Sequence, residues 1–456
     1  MDRADPGEWI VTDDGPRRVT ITGAVPSGVA APAASRSAGD GPSGTPGSTA
    51  QGSAGAEAET DPGGPAVATR MRLDAAVTAA GKVGLNRIHL LAWRDLDDPE
   101  AGGSELHAHK IAALWAGAGI DVTMRTSSAE GHAPFTRRDG YRVVRKSGRY
   151  GVFPRSALSG FVGRRGRPDG LVEIWNGMPF FSPLWERCPK IVFLHHVHAE
   201  MWQMVMSRRL APVGAFVERR LAPPFYRNSR IVTLSSSSRE EIVSMLGLTR
   251  ENISVVPPGV DPRFRPGGPR RGEPSVMAVG RLVPVKRFDR LIDELVAVRR
   301  NIPTLRARIV GEGYERPALE ERIRAAGAGE WIELVGRMSD DELRDAYRQA
   351  WVLVSMSQRE GWGMTITEAA ACGTPAVVTR IAGHSDAVEH GVSGLLVDRP
   401  DQFGAALETV LRDEPLRRRL GQAAQEHAGR LTWEATAAGT LEALVAEAET
   451  DAGRRR

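Results

Sequence analysis

The sequence predicts an α/β protein of two Rossmann-like parallel-sheet domains facing a central cleft. Three observations carry that expectation. From Arg87 onward, short apolar runs alternate with stretches of helical apolar spacing; Pro257-Pro258-Gly259 and the Pro/Gly/Arg-rich run to Pro274 interrupt the pattern; and the same alternation restarts at Ser275. Alternating strands and helices favour a parallel sheet covered on both faces, and two such sheets set a ligand cleft at their strand ends.

At 456 residues the chain exceeds what one core usually organises. Residues 24–68 are almost entirely Ala, Gly, Pro, Ser and Thr, with too little apolar surface to offset ordering entropy. The expected plan is a disordered tail over 1–84, a first domain over 85–258, a second over 259–430, and a C-terminal helix with a basic tail over 431–456. Met71 offers an alternative start near the folded region.

In the first domain Ile88 to Trp93 reads as a buried strand, Glu105 to Ala118 as a helix, and a second strand lies near Val122. Further strands are expected at 170–174, 191–194 and 231–234, with helices at 212–221 and 239–246. In the second domain strands at 275–279, 305–310, 331–335, 351–355 and 376–379 alternate with helices at 288–299, 315–325 and 340–350.

Net charge is +4, a balance that suits anionic ligands and does not call for nucleic acid. Cys188 and Cys372 are the two cysteines and form no CxxC, so neither a disulfide framework nor a structural zinc site has support. The start lacks the pattern of a secretory signal, and no run of about 18 apolar residues suggests a membrane span. The expected location is the cytoplasm, including the inner face of the membrane.

The most informative segment runs from Arg359 through Glu360-Gly361-Trp362-Gly363-Met364-Thr365-Ile366-Thr367-Glu368 to Gly373-Thr374-Pro375. It follows an apolar strand and opens a helix. Gly361 and Gly363 permit close backbone approach, and the amides of Gly363, Met364 and Thr365 stand at a helix N-terminus, where anions such as a diphosphate bind. Glu360 then sits at the strand's carboxyl end, and Glu368 falls one turn inside the helix. Thr365-x-x-Glu368 also reads as a capping box that needs no ligand.

This segment resembles glycosyltransferase family 4, whose hallmark is E-x7-E in the form EGFGLT-x-x-E-A-x-A-x-G-x-P. The resemblance implies the GT-B fold and a retaining, metal-independent transfer of a hexose-type sugar from a UDP- or GDP-sugar. The acceptor would be a glycolipid, a cell-envelope glycan or a small metabolite; no cofactor is implied. By resemblance Glu360 contacts the donor sugar, Glu368 binds the ribose, and the amides at Gly361, Gly363, Met364 and Thr365 contact sugar and phosphate.

Upstream, Gly280-Arg281 through Lys286 matches the family's G-R-x-x-x-x-K element, so Arg281 and Lys286 are expected on the donor diphosphate. Gly336-Arg337-Met338 ends a strand at the cleft rim; Arg337 and Met338 are expected to meet the base through their backbone. Val310-Gly311-Glu312-Gly313 is expected to be an ordinary turn. In the first domain, Gly102-Gly103-Ser104-Glu105 resembles the family's G-G-[AS]-E loop, which places Gly103 by the diphosphate.

Asp95-Leu96-Asp97 mimics a metal-binding D-x-D and is expected to be a solvated loop. Phe193-Leu194-His195-His196-Val197-His198 ends a strand; by resemblance His195 is the histidine near the reaction centre, with His196 second. Asn176–Phe181 and Met201-Trp202 are expected to line or support the acceptor half. Trp202, Phe216, Phe225 and Tyr226 mix with Arg208, Arg209, Arg219, Arg220 and Arg227, as peripheral membrane contact would require. The rivals are a nucleotide-sugar epimerase on the same fold and a non-catalytic sugar-nucleotide scaffold.

Overall fold

The computed structural model describes residues 8–12, 15–19, 65–162, 167–205 and 209–455. The expected disordered segment lies outside the described residues over 20–64. Two compact units are distinguished, residues 1–61 and 62–456. The first contains an antiparallel strand pair, β1 (Glu8–Thr12) and β2 (Gly15–Val19).

The second unit opens with a helix, Pro65–Lys82, where the sequence suggested a tail through residue 84. Leu73, Ala76 and Ala80 form its buried stripe, and it packs on the C-terminal helix Trp433–Arg455. Arg72 Nε and Nη2 grip Glu442 Oε1 and Oε2 at 2.8 and 2.6 Å. The buried residues are mostly alanines, which let two helices approach closely yet read as low complexity in the sequence.

The first sheet holds β3 (Arg87–Leu91), β4 (Asp121–Ser127), β5 (Phe135–Arg138), β6 (Tyr141–Ser147), β7 (Gly170–Trp175), β8 (Lys190–Leu194), β9 (Arg230–Thr233) and β10 (Ile253–Val255). Their order is β10-β9-β8-β7-β3-β4-β6-β5, parallel throughout except for β5, which runs antiparallel to β6. The second sheet, β11 (Ser275–Val279), β12 (Arg306–Val310), β13 (Ile332–Gly336), β14 (Val352–Ser355), β15 (Ala376–Thr379) and β16 (Gly394–Val397), is ordered β13-β12-β11-β14-β15-β16 and wholly parallel. Both are the expected Rossmann-like sheets. Strands β5, β6, β10 and β16 were not expected, the first two because arginines at 137, 138, 142 and 145 hide their alternation.

The C-terminal helix returns to the first domain. Trp115 Nε1 donates to Ala437 O at 3.0 Å, and Thr436 Oγ1 donates to Pro257 O at 2.8 Å. Ala437, Ala438, Leu441 and Leu444 are buried there, in one continuous core with Trp115 and Ile88. This strap holds the two sheets with their carboxyl strand ends across one cleft.

Candidate active site

The loops after the second sheet's strands supply most of one wall. After β14, Ser357 Oγ donates to Glu360 Oε1 at 2.9 Å, and Lys286 Nζ donates to the same oxygen. Burial would push the Glu360 carboxyl up, but Lys286, His384 and Ser357 outweigh it and hold it below the usual carboxylate range, so it is ionised at neutral pH. His384, not singled out in the sequence, is buried beneath this loop with Nδ1 on Thr379 O at 2.9 Å.

The helix Met364–Ala371 begins from Gly363, whose φ of 107° suits glycine. The first amide to enter its ladder is Ile366 N, onto Gly363 O at 2.9 Å, so Met364 and Thr365 precede it with their amides at the cleft end. The capping box at Thr365 does not form, because Thr365 is already helical. Glu368 instead accepts from the Tyr347 hydroxyl at 3.0 Å.

Burial pushes the Glu368 carboxyl up to about 8, the Tyr347 hydrogen bond opposing it. Its folded pKa therefore lies above the ordinary value of 4.5, so the folded protein holds this proton more tightly than the unfolded chain. The associated stability is present at low pH and is lost as pH rises from about 4.5 through about 8. Melting curves should show the wild type losing more stability than Glu368→Gln between pH 5 and 8; parallel curves would contradict this.

The first domain closes on this wall. Arg281 Nη1 lies 3.5 Å from Glu100 O, and Arg337 Nη2 donates to Pro99 O at 2.6 Å, so both cations meet the loop that carries Gly103. A Cβ on Gly103 would stand 3.1 Å from Met364 Sδ, and one on Gly361 would stand 2.6 Å from His195 O. Arg359 Nε donates to Val197 O at 2.8 Å and pairs with Glu241 at 2.9 Å. Asp386 caps the facing helix Ser236–Leu246, accepting from Ser236 N at 2.9 Å and Ser237 N at 3.2 Å. Met338 packs half-buried against the core.

His195, expected near the reaction centre, has both ring nitrogens buried without a hydrogen-bond partner. Its ring is buried against Phe193 and His107, at 4.8 and 5.1 Å between centroids, and burial drives its pKa down to about 3. His196 is the histidine that feels the cleft charges: burial lowers its pKa to about 4, Glu360 acts to raise it, and Arg359, Arg281 and Lys286 lower it. Its Nε2 has no hydrogen-bond partner.

The Asp95-Leu96-Asp97 expectation is corrected. Asp95 is fully buried, and Arg145 Nη2 reaches Asp95 Oδ1 at 3.1 Å and Asp97 Oδ2 at 2.6 Å; Arg138 also pairs with Asp97, at 2.7 Å. The pair is a buried arginine clamp tying β3 to β6. Gly311 and Gly313 face Gly280 O and Leu282 O so closely that a Cβ would stand 1.9 and 2.2 Å away, which fits the ordinary-turn reading.

Two family models divide these walls between them. Glycosyltransferase Family 4 matches residues 101–264, and Glycosyl transferases group 1 matches residues 261–427, so the matches meet at the linker and together take in both sheets apart from β3. The chain belongs to the family 4 glycosyltransferases.

Curated relatives of this family 4 chain include D-inositol 3-phosphate glycosyltransferases. Those of Kribbella flavida and Nocardia farcinica are each 35% identical, over 48% of this chain and 57% and 52% of their own lengths. The chain thus spans little more than half of the curated relatives it matches. Among solved structures, sucrose-phosphate synthase from Thermosynechococcus elongatus aligns with a TM-score of 0.65 at 20% identity, covering 77% of this chain and 96% of that one. Anabaena HepE in complex with UDP-glucose aligns at 0.60 and 18%, covering 81% and 99%. At those identities the likeness is one of fold, and the fold is GT-B.

In this family 4 chain Glu360 and Lys286, named from separate motifs, meet in the structure, and Arg281 lies against the loop of the first domain. Ser357, His384, Tyr347 and Asp386 were missed; Ser357 lies three residues before Glu360 in the same loop, and the other three meet the motif segments through tertiary packing.

Proposed function

We propose that the chain is a retaining, metal-independent glycosyltransferase moving a hexose-type sugar from a UDP- or GDP-sugar to an acceptor hydroxyl. The observation that carries this is the convergence of the ionised Glu360, the Lys286 ammonium and the amide end of the helix Met364–Ala371 at one cleft wall. A sugar diphosphate needs all three: a carboxylate to hold hydroxyls, a cation for the diphosphate, and backbone donors for its oxygens.

As the glycosidic bond breaks, charge builds on the leaving diphosphate, where Arg281, Lys286 and the helix amides oppose it without a metal. Glu368 and the backbone at Arg337 and Met338 hold ribose and base. His196, neutral at pH 7 and under the influence of the Glu360 charge, offers its unpartnered Nε2 to a sugar hydroxyl, with His195 as the alternative. Retention follows from front-face attack, with a leaving phosphate oxygen taking the acceptor proton. Closure of the two domains excludes water from the activated sugar.

The test is a panel of UDP-, GDP- and ADP-sugars in EDTA, with nucleoside diphosphate release measured alone and with D-inositol 3-phosphate, the compound in the relatives' name. EDTA-resistant release that D-inositol 3-phosphate accelerates supports the reading. Sugar interconversion without release would point to an epimerase, and failure of every donor to bind would point to a scaffold.

A peripheral membrane contact is part of this proposal. Trp202 and Tyr226, named for this contact from the sequence, are buried, but Leu210, Val213, Phe216, Leu221 and Phe225 are 40 to 58% exposed along residues 210–225, with Arg209, Arg219, Arg220 and Arg227 exposed around them. Such a face fits an anionic bilayer surface. Glu218, on the same segment, accepts from His198 N at 2.8 Å, Ala199 N at 3.1 Å and Trp202 Nε1 at 2.9 Å, which ties the face to the histidine loop of the cleft. Sedimentation with phosphatidylglycerol vesicles should fall at least about fivefold in the double variant Phe216→Ser, Phe225→Ser, given the apolar area lost; equal sedimentation would remove membrane contact from the proposal.

A further inference from the structure

The donor cleft lies at the carboxyl ends of the second sheet's strands. At the opposite end, where β11, β14 and β15 begin, lies a separate cavity of about 580 Å³. The Pro/Gly/Arg-rich run before β11 forms one side with Arg270 and Arg271, Trp351 lies at the start of β14, and the helix Glu414–Ala428 contributes Arg417 and Arg418. Arg348 also lines it, against a single lining carboxylate, Glu414.

The positive charge is only partly balanced. Arg418 pairs with Glu414 at 2.5 Å, and Arg348 with Asp345 at 3.2 Å. Arg270 instead has its guanidinium on Ala350 O at 2.5 Å, Thr374 Oγ1 at 3.2 Å and Gly373 O. Arg417, buried, donates to Val410 O and Leu411 O, both at 3.0 Å, with its guanidinium 4.0 Å from the Trp351 ring centroid. Among the described residues no ion pair joins Arg270, Arg271 or Arg417 to a carboxylate. Burial lowers the pKa of both Arg270 and Arg417; Arg417 lowers that of Arg270 further, while at Arg417 the nearby Glu414 and Asp413 oppose the lowering and Arg418 adds to it.

Arg417 is a buried guanidinium without an ion pair, which is costly, and Arg270 and Arg271 bring further positive charge to the same cavity. An anion entering the cavity relieves that cost, and planar forks suit phosphate oxygens. The volume exceeds what one phosphate fills and falls in the small-ligand range of about 300–1,000 Å³. The Trp351 ring supplies an apolar surface for an organic body.

We propose that this cavity binds a phosphorylated small metabolite, a phosphate ester, at a site separate from the donor cleft. Arg270 also holds Gly373 O, at the far end of the helix whose first amides face the cleft, so the two sites share one helix.

The test is calorimetric titration with glucose 6-phosphate, and in parallel with inorganic phosphate, on protein carrying Arg281→Ala and Lys286→Ala, so that the cleft contributes no phosphate heat. The expected result is one saturable site that prefers the ester, weakened at least about tenfold by adding Arg271→Glu and Arg418→Glu, the loss of a charge-assisted contact. Melting curves confirm that the variant is folded. No heat up to about 10 mM ester, a Kd beyond any useful affinity, or binding indifferent to the added pair would overturn the site; equal affinity for inorganic phosphate would overturn its assignment to an ester.

Discussion

Replacing Glu360 with Gln is expected to lower kcat/KM for sugar transfer by about 10²–10³, the range seen when one preorganised electrostatic contact at a reacting centre is lost. The side chain keeps its volume and its hydrogen bond from Ser357, so the loop geometry should survive. What disappears is the charge beside Lys286. That difference separates two roles. If Glu360 holds the sugar, the nucleotide-sugar binds more weakly while the bare nucleoside diphosphate binds as well as before or better, because Lys286 is no longer shared. If Glu360 merely neutralises Lys286, both ligands shift together. Calorimetry with UDP and a UDP-sugar, beside the rate measurement, distinguishes them, and an unchanged rate would remove Glu360 from the site. The Glu360 carboxyl is held below its ordinary range, so the rate should show no ionisation of this group between pH 6 and 8.

The E-x7-E segment was legible because its constraints are local: a strand end, two glycines and a helix start within ten residues dictate where Glu360 and the amides must stand. The adjacent histidines were not. Consecutive residues at the end of β8 point to opposite sides, so the choice between His195 and His196 depends on what packs behind. His107 on the helix Gly103–Gly117 packs against His195, and Trp433 on the C-terminal helix packs in turn against His107; neither is near His195 in sequence. The capping-box alternative at Glu368 failed for a related reason: a Thr-x-x-Glu spacing signals a cap only if threonine precedes the helix, and the left-handed Gly363 starts the helix one residue before Thr365. The core strands were readable from continuous apolar runs, whereas β6 depends on Arg145 being neutralised by aspartates from another loop.

Gly361→Ala is expected to cost about 10² in kcat while leaving each domain folded, since misplacing reacting groups by roughly an ångström costs about that much. A Cβ at this position would stand 2.6 Å from His195 O and 3.5 Å from Leu234 Cδ1. The first neighbour is backbone at the end of β8, in the other domain, and it cannot turn aside as a side chain would. The methyl therefore acts as a wedge in the seam. The flanking contacts, Arg359 on Val197 O and Asp386 on the amides of Ser236 and Ser237, sit on the same seam and would lengthen together. The wedge meets the core only at ordinary contact distance from Leu234, so the melting temperature should fall by only a few degrees, as for about 1 kcal/mol lost. Kinetics beside a thermal melt checks both halves. Full activity would mean that catalysis does not need this closed seam; a collapse in melting temperature would mean that Gly361 serves the fold of its own domain. With the closed seam required, small-angle scattering should show the wild type contracting on UDP addition and the variant failing to do so, because the added methyl blocks the last step of approach and not the binding of the nucleotide itself.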